Sequence, residues 1–542
     1  MLPDDHDPER DTVIVKFRGG RALLGAAAVV AAFVPLVLAG GPPAQADTAV
    51  QGQWTVRTVA PGVEVRAGTL RDATAAPSWT VTVRRPSTAR LTGAPVDAEI
   101  GPSPWALDTQ AKLRAAGYEP RLEAVAWPDY ADTPRGTMGW RVRIGSYAAK
   151  DTAQSTATAL TGAGFHAAVE WTGYDADQPA DIESIHVAVI DPSRFTGTVE
   201  GTHDGDVTRR ETTSAVAAKL GSLVGVNGGF FVLSDDDGVQ GTQAGLGVYD
   251  GQLASMAAGS RAALLLKDGG HHVSVANLSS EATARAGGST YAVQGVNRLP
   301  GTVRSCGRPG AVPSSLPWQD VTCHETNDLV LFTTAFKAAL PTGAGTQAVL
   351  DAQGRVVSLG GRGGTVPAGG SVLQGIGTAA TWLTAHATPG QSVAVGETVR
   401  DGSGQQLALG PHDSVVSAAP VLVRARRVVI DARAEGTLDV SDPSFGYTWS
   451  NVREPRTMAG VDAYGRLLLV TVDGHRNGGS EGFTLSEAAH FMQSLGAVQA
   501  MNLDGGGSST FTVNGVLTNR PSDAAGERAV GDTLQVLPGA AG

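Results

Sequence analysis

Residues 466–510 read RLLLVTVDGHRNGGSEGFTLSEAAHFMQSLGAVQAMNLDGGGSST, and they predict a strand, a helix and a second strand. The apolar runs LLLVTV (467–472) and AVQAMNL (497–503) have the length and composition of buried strands. Between them, T-L-S-E is a capping box in which Glu487 bonds back to the amide of Thr484. An apolar stripe follows, and Gly496 marks the end of the helix.

A helical crossover makes the two strands parallel, so both end at the same edge of the sheet, where open α/β sheets hold ligands. Asp473 leaves the first strand and Asp504 leaves the second. Their backbones lie ~5 Å apart if the strands are neighbours and ~10 Å apart if one strand separates them. Such separations suit a carboxylate pair that cleaves a glycosidic bond as acid and base, or as acid and nucleophile.

Each aspartate also has other interpretations. Asp473-Gly474 and Asp504-Gly505 are ordinary turn dipeptides. An aspartate at this edge also suits a metal, so a divalent cation such as Ca²⁺ is the cofactor that the pattern leaves open. Glu487 is interpreted as a helix cap rather than as a catalyst.

Further polar groups are expected at the same edge. An arginine fork suits a phosphate, hydroxyls and glycine amides add donors, and a histidine carries protons near neutral pH. Each of these residues also fits an ordinary hydrated surface. The candidates are Asn227, Gly228, Gly229, Arg456, Thr457, His475, Arg476, Gly505, Gly506, Ser508 and Ser509.

Charge and motifs exclude several classes of function. The net charge of −11 gives no basic surface for nucleic acid. The glycine-rich segment lacks the Lys-Ser/Thr of a P-loop, Ser508 does not stand in G-x-S-x-G, and no HExxH occurs. A P-loop nucleotide hydrolase, a serine esterase of that type and an HExxH metalloprotease are therefore disfavoured.

The N-terminus resembles an export signal. Basic residues up to Arg21 precede the apolar run 22–39, which ends in GPPAQA. We predict a signal peptide over 1–46, cleaved after Ala46, which leaves a secreted chain without a stable membrane span. The alternative is an uncleaved anchor, because the run just reaches spanning length, but Pro35 and the small residues favour cleavage.

The two cysteines, Cys306 and Cys323, fit an oxidising compartment. A disulfide between them closes a short loop and stabilises the protein by roughly 3 kcal/mol. Two free thiols are the alternative. A zinc site needs more ligands than these cysteines and His324 supply.

At 542 residues the chain is long enough for two or three domains. After a strand-like lead over 47–76, residues 77–173 follow the order strand, helix, strand, strand, helix, strand of a ferredoxin-like unit. The segment WRVRIGSYAAKDTAQSTATALTGAGFHAAV resembles the second half of a SPOR domain. That resemblance implies binding of peptidoglycan glycan strands stripped of stem peptides, with Arg141, Arg143 and Tyr147 as candidate contacts and a cell-wall location; the three also fit ordinary strand residues. A linker (173–181) leads to a mixed-sheet domain over 181–538, so the predicted fold class is α+β.

The blocks GVNGGFF, PRTMAGVD, LLVTVDGHR, TLSEAAHFM, MNLDGGGSSTFTVNG and NRPSDAAGERAVGDTL, in this order, resemble the phosphodiester glycosidase family. The resemblance implies hydrolysis of the bond between a sugar C1 and a phosphodiester. It also adds Asn502, Arg528, Arg520 and Ser522 to the candidate site. Many relatives have Asp-Gly-Arg where this chain has Asp473-Gly474-His475, so an arginine role there falls to Arg476 or is missing.

We therefore expect a secreted, cell-wall-associated hydrolase of sugar-1-phosphodiesters such as GlcNAc-1-phosphodiesters, acting on cell-wall polymers or exopolysaccharide. Asp504 and Asp473 would form the catalytic pair, and Arg456 would hold the phosphate with help from Asn227 and Ser508. The competing hypotheses are a non-catalytic glycan-binding protein of the cell envelope and an enzyme acting on ordinary glycosides.

Overall fold

The computed structural model describes residues 51–86, 97–306, 319 and 321–539. The expected signal peptide over 1–46 lies outside these residues. The largest sheet has eight strands, and every neighbouring pair in it is antiparallel. From one edge to the other the strands are Gln51–Ala60, Val63–Arg71, Ile182–Ile190, Leu467–Val472, Arg456–Asp462, Ala497–Asn502, Val421–Arg424 and Arg427–Val428.

Two strands of this sheet carry the predicted aspartates at their ends. Leu467–Val472 and Ala497–Asn502 both pair antiparallel with Arg456–Asp462, which lies between them. Two strands that oppose the same neighbour run parallel to each other, so the predicted parallel crossover is confirmed, with one strand inserted. Leu467–Val472 is buried along its whole length, as its continuous apolar run predicts.

The crossover helix spans Leu485–Ser494. Thr484 Oγ1 accepts the Glu487 amide at 3.1 Å, and Glu487 Oε2 accepts the Thr484 amide at 2.9 Å, so the capping box is confirmed. Leu485 and Met492 are fully buried against the sheet. Past the helix, Gly496 has a φ of +91°, a left-handed conformation that favours glycine.

The ferredoxin-like unit is confirmed as a four-stranded antiparallel sheet with two helices. In sheet order its strands are Pro120–Ala126, Thr137–Tyr147, Trp79–Val83 and Ala167–Trp171, and its helices are Ser103–Ala115 and Lys150–Gly162. In sequence this unit lies between the strands Val63–Arg71 and Ile182–Ile190, which pair directly with each other in the main sheet. We call residues 79–171 the inserted domain, because the lead segment before it forms the first two strands of the large domain.

The arginines considered for glycan contact point inward. Arg141 and Arg143 are each 2% exposed. Arg141 pairs with Asp175 at 2.8 Å and with Asp177 at 2.7 Å, and Arg143 also pairs with Asp175. Neither guanidinium is open to a glycan, because both are neutralised by Asp175, in the segment leading back to the large domain, and by Glu123 of the unit itself. Tyr147 is half-buried, and its hydroxyl bonds to Thr156 at 3.0 Å.

The remaining elements build further sheets around the main one. A five-stranded sheet contains, in order, Thr198–Thr202, Thr533–Leu537, Val224–Asn227, Phe511–Val513 and Val516–Leu517. A seven-stranded sheet contains Gln252–Ser255, Gly247–Tyr249, Ser414–Ser417, Arg261–Lys267, His272–Ala286 and Ser289–Val293, with Ala394–Asp401 also on His272–Ala286. A second five-stranded sheet contains Gly295–Val296, Asp328–Phe332, Ser371–Ile376, Thr346–Leu350 and Val356–Gly360. Short pairs join Arg85–Pro86 to Asp97–Ala98, Glu211–Thr212 to Ala529–Val530, and Thr302–Arg304 to Thr322–His324.

Helices are few in the described part of the chain. The other α-helices are Thr213–Leu220, Thr378–His386 and the short Pro443–Gly446, which continues into a π-helical turn over Tyr447–Asn451. Single 3₁₀ turns occupy Thr172–Tyr174, Asp235–Asp237 and Gly506–Ser508. None of the helices described is long and apolar enough to cross a membrane.

The predicted disulfide is confirmed between Cys306 and Cys323, whose Cα atoms lie 5.9 Å apart. Both cysteines are buried. Cys323 lies within the strand Thr322–His324 and pairs with Val303, whereas Cys306 follows the strand Thr302–Arg304, so the bridge links the two strands of this ribbon.

Candidate active site

A cavity of about 510 Å³ opens beside the ends of the central strands. Its lining combines carboxylates, arginines and aromatic rings, which is the mixture that an anionic sugar requires: charge for the phosphate and apolar faces for the ring. The charged lining residues are Asp237, Arg304, Glu454, Arg456, Asp504 and Arg528, and the aromatic ones are Phe230, Phe231, Phe445 and Trp449.

Asp504 lines this cavity, and its backbone is fixed on both sides. Its amide donates to the Gly228 carbonyl at 3.1 Å, and its carbonyl accepts Asn227 Nδ2 at 2.8 Å. The Gly505 amide donates to Asp504 Oδ1 at 2.9 Å. The carboxylate is thus presented by a rigid loop instead of a mobile turn.

The three glycines after Asp504 each have a steric reason. A Cβ on Gly505 would lie 2.8 Å from the Pro455 carbonyl oxygen. Gly506 has a φ of +58°, and its amide donates to that same carbonyl at 2.9 Å. A Cβ on Gly507 would lie 2.0 Å from an Asp523 carboxylate oxygen. Close packing against the protein itself thus accounts for these glycines, and Gly505 and Gly506 also line the cavity.

Arg456 is the buried cation of the cavity, with 2% of its surface exposed. Nε donates to the Phe483 carbonyl at 2.9 Å and Nη2 to the Trp449 carbonyl at 2.8 Å. Both partners are neutral, and no carboxylate of the described residues forms an ion pair with it. Burial lowers the pKa of Arg456. A guanidinium aimed by two carbonyls and left without a counter-ion is suited to an anionic group of a ligand.

Arg528 also lines the cavity, but its charge is shared. Nε and Nη2 bind the Asp523 carboxylate at 2.7 and 2.8 Å, and Nη1 lies 3.5 Å from Ser508 Oγ. Arg528 is therefore a secondary anion contact, since Asp523 already neutralises it.

Glu454 is a cavity carboxylate that the sequence argument missed. Its Oε2 lies 3.0 Å from His475 Nε2. Burial acts to lower the pKa of His475, but the bond and charge of Glu454 outweigh it, so the net shift is upward. The sequence R-E-P-R-T (453–457) contains a signal for this carboxylate. Residues two apart in an extended segment share a face, so Glu454 is expected on the same side as Arg456.

Asp473 stands away from the cavity lining. It is 2% exposed, and its Oδ1 accepts Asn519 Nδ2 at 3.0 Å and the Arg520 amide at 3.1 Å. Burial raises its pKa. The two strand ends reach one edge as predicted, but the side chain of Asp473 turns towards residues 519–520, so the structure does not bring the expected carboxylate pair together in the cavity.

Several predicted contacts are buried supports. Asn227 Oδ1 accepts Thr457 Oγ1 at 2.7 Å and the Thr510 amide at 3.1 Å, which ties the Asp504 loop to the central strand. Asn502 Nδ2 donates to the carbonyls of Ala419 and Leu503. These side chains do not line the cavity but hold in place the backbone that does.

The remaining candidates of the sequence analysis are not among the residues that line the cavity. Gly229 donates its amide to Asp532 at 2.9 Å, and a Cβ on Gly228 would lie 2.5 Å from that carboxylate. Ser508 and Ser509 are buried. Arg476 pairs with Ser480 through its backbone, and Arg520 is exposed. Ser522 is half-buried in the turn before Arg528.

A divalent cation stays a prediction. Within residues 51–86, 97–306, 319 and 321–539, no three His, Cys, Asp or Glu side chains are grouped closely enough to hold a metal ion.

The cavity therefore combines a buried arginine that forms no ion pair with the described carboxylates, three lining carboxylates and several aromatic rings, a set of groups that suits a glycosidic hydrolase. Comparison with known proteins identifies the kind of glycosidic hydrolase: a family model described as phosphodiester glycosidase matches residues 344–537. This match places residues 344–537 of the chain in the phosphodiester glycosidase family.

Individual relatives agree. Over 114 residues the chain is 47% identical to N-acetylglucosamine-1-phosphodiester alpha-N-acetylglucosaminidase of Bos taurus, covering 21% of each chain. The Mus musculus protein of that name is 34% identical over 116 residues, covering 21% of this chain and 22% of its own. The chain thus spans about a fifth of the length of these curated relatives. The crystal structure of a putative exported protein from Burkholderia pseudomallei is 32% identical, with a TM-score of 0.79, over 92% of this chain and 98% of that one.

Proposed function

We propose that the chain hydrolyses the bond between a sugar C1 and a phosphodiester, with a GlcNAc-1-phosphodiester as the first substrate to test. The observation that carries this proposal is Arg456, a buried guanidinium that lines the same cavity as Asp504 and Glu454 and forms no ion pair with a carboxylate of the described residues. The names of the mammalian relatives supply the choice of sugar.

In this mechanism Arg456 binds the phosphodiester, and Arg528 assists it. A phosphate leaving group is weakly basic, so charge stabilisation by the guanidinium replaces much of the work of a strong general acid. Asp504 faces the sugar carbon and either attacks it or activates the water that does. Glu454, held by His475, is the second carboxylate. The anomeric configuration of the released sugar distinguishes the two routes, because retention requires a covalent intermediate.

The test is turnover of a GlcNAc-1-phospho-alkyl diester by purified residues 47–542. We expect Asp504→Asn to reduce kcat at least ~100-fold, as for removal of a group that acts on the reacting atoms. Asp108→Asn, on the exposed face of the inserted domain, is the matched control and keeps the full rate. Glycan binding without turnover by the wild type would instead identify a binding protein.

We further propose that the chain is exported and acts on cell-wall polymers or exopolysaccharide. The N-terminal apolar run and the Cys306–Cys323 disulfide support this location. Expression with the native N-terminus should yield a product in the medium that begins at Asp47. A product retained in the membrane with residues 1–46 attached would contradict cleavage.

Peptidoglycan binding by the inserted domain is also a proposal. Its support is the ferredoxin-like strand order together with the likeness to SPOR domains. Because Arg141 and Arg143 are occupied by carboxylates, such binding would use other residues of the domain. Cosedimentation of residues 47–542 with peptidoglycan stripped of stem peptides tests it, and equal recovery with intact peptidoglycan would argue against the proposed specificity.

A further inference from the structure

The segment 443–456, which we call the wall segment, has two faces with different partners. One face lines the cavity through Phe445, Thr448, Trp449, Glu454 and Arg456. The other face turns away from the cavity, towards the inserted domain and the linker that follows it. A cavity wall is thus backed by a domain none of whose described residues lines the cavity.

Direct contacts join the inserted domain to the rear of the wall segment. The Tyr130 hydroxyl donates to the Ser450 carbonyl at 3.3 Å. Asn451 Nδ2 donates to the Ala126 carbonyl at 3.1 Å. The Tyr447 hydroxyl accepts Arg141 Nη1 at 3.2 Å, and Tyr447 is 2% exposed.

The linker after the inserted domain adds a second set of contacts. The Arg453 amide donates to the Tyr174 carbonyl at 2.8 Å. Arg453 Nη1 donates to the carbonyls of Gly173 and Asp175 at 2.7 and 2.8 Å. Asp175, which pairs with both buried arginines of the inserted domain, also forms an antiparallel bridge with Val452.

These contacts matter because the middle of the wall segment, residues 447–451, is neither α-helix nor strand. Residues 447–451 form a single π-helical turn, an irregular element that depends on its surroundings. Trp449, in the middle of that turn, supplies the carbonyl that holds Arg456 Nη2 at 2.8 Å. The position of the turn therefore sets the place of Trp449 in the cavity lining and one of the two hydrogen bonds that aim the Arg456 guanidinium.

We propose that the inserted domain is a working part of the substrate site, with Tyr447, Tyr130 and Arg141 as positioning residues that fix the wall segment. This inference rests on the proposed function for its assay. It assigns the domain a role in binding the sugar-phosphodiester that is separate from any attachment to the cell wall.

The experiment compares two hydroxyl deletions. Tyr447→Phe removes the hydroxyl at the boundary, whereas Tyr147→Phe removes one whose partner, Thr156, lies inside the inserted domain. We expect Tyr447→Phe to raise KM for the GlcNAc-1-phospho-alkyl diester about fivefold with less than a twofold change in kcat, as for loss of the positioning hydrogen bonds to Arg141 and Asp175. Tyr147→Phe should leave KM unchanged even where it lowers the melting temperature. If Tyr447→Phe fails to fold, Tyr130→Phe replaces it.

The outcomes separate this inference from the proposed function. If the wild type turns over the diester and both variants share its KM, the positioning role is refuted while the enzymatic activity stands. If the wild type shows no turnover, the same comparison is made by calorimetry with GlcNAc-1-phosphate, where weaker binding by Tyr447→Phe alone supports the inference. Absence of both turnover and binding in the wild type overturns both proposals.

Discussion

Replacing Arg456 with lysine keeps a positive charge in the cavity but removes the planar fork that two carbonyls now aim. The native side chain donates at 2.9 Å to the Phe483 carbonyl and at 2.8 Å to the Trp449 carbonyl. Hydrogen bonds that involve a charged group contribute roughly 1.5–3 kcal/mol each. An ammonium group on a flexible stem reproduces at most part of this arrangement.

We expect Arg456→Lys to lower kcat/KM for a GlcNAc-1-phosphodiester about 100-fold, which corresponds to ~2.7 kcal/mol of lost transition-state stabilisation. Arg456→Met, which removes the charge, should cost about 1000-fold. Melting temperatures measured in parallel show whether each variant remains folded.

The informative comparison uses a second substrate, an aryl glycoside of GlcNAc whose leaving group carries no phosphate. If Arg456 stabilises the departing phosphate, its loss should slow the phosphodiester far more than the aryl glycoside, provided that the wild type cleaves both. An equal loss on the two substrates would refute the assignment and leave Arg456 as a structural residue. If the wild type cleaves only the aryl glycoside, the protein is an ordinary glycosidase.

Three further changes test the surroundings of the site. Burial raises the pKa of Asp532 from 3.8 to about 6, so the folded state binds the proton more tightly than the unfolded state. The free energy of unfolding should therefore fall by about 3 kcal/mol as the pH rises from about 4 to about 6. Asp532→Asn should flatten this pH dependence in urea titrations, and an unchanged slope would contradict the assignment. The pKa of His475 is raised, so its ion pair with Glu454 is complete below the ordinary histidine pKa and is lost as the pH rises through the raised value. His475→Gln should remove the corresponding alkaline step from the pH profile of kcat/KM. A step that persists in this variant belongs to another group. Cys306→Ser opens a disulfide between residues 17 apart in sequence and should cost roughly 3 kcal/mol in urea unfolding, whereas a loss below ~1 kcal/mol would mean that the loop is held by its packing.

The local pattern around residues 466–510 was sufficient to predict two parallel strands, the capped helix between them and the loop of Asp504. It was insufficient for Asp473, because strand order places a residue at a sheet edge without fixing the direction of its side chain past the last ladder bond. Asn519 and the Arg520 amide, far along the chain, determine that direction. The segment R-E-P-R-T places Glu454 on the side of Arg456, but whether that side faces a cavity depends on the turn at 447–451, which no periodicity marks.

The lead segment illustrates a second limit. Its alternating residues predicted strands, but their partner, Ile182–Ile190, lies beyond an entire domain in sequence. Pairing of that kind depends on contacts between distant segments, so the pattern of the segment alone gave no sign that it belongs to the main sheet.

The position of the inserted domain has a consequence for the order of folding. Arg71 and Ile182 are direct partners in the ladder, so the chain between them is, from the standpoint of the sheet, one very long hairpin loop. Closing so long a loop while it is unfolded carries an entropic cost that a compact loop with adjacent ends avoids. We therefore expect the inserted domain to collapse first and to bring these two strands into register, so that the first steps of folding lie far from Asp504 in sequence.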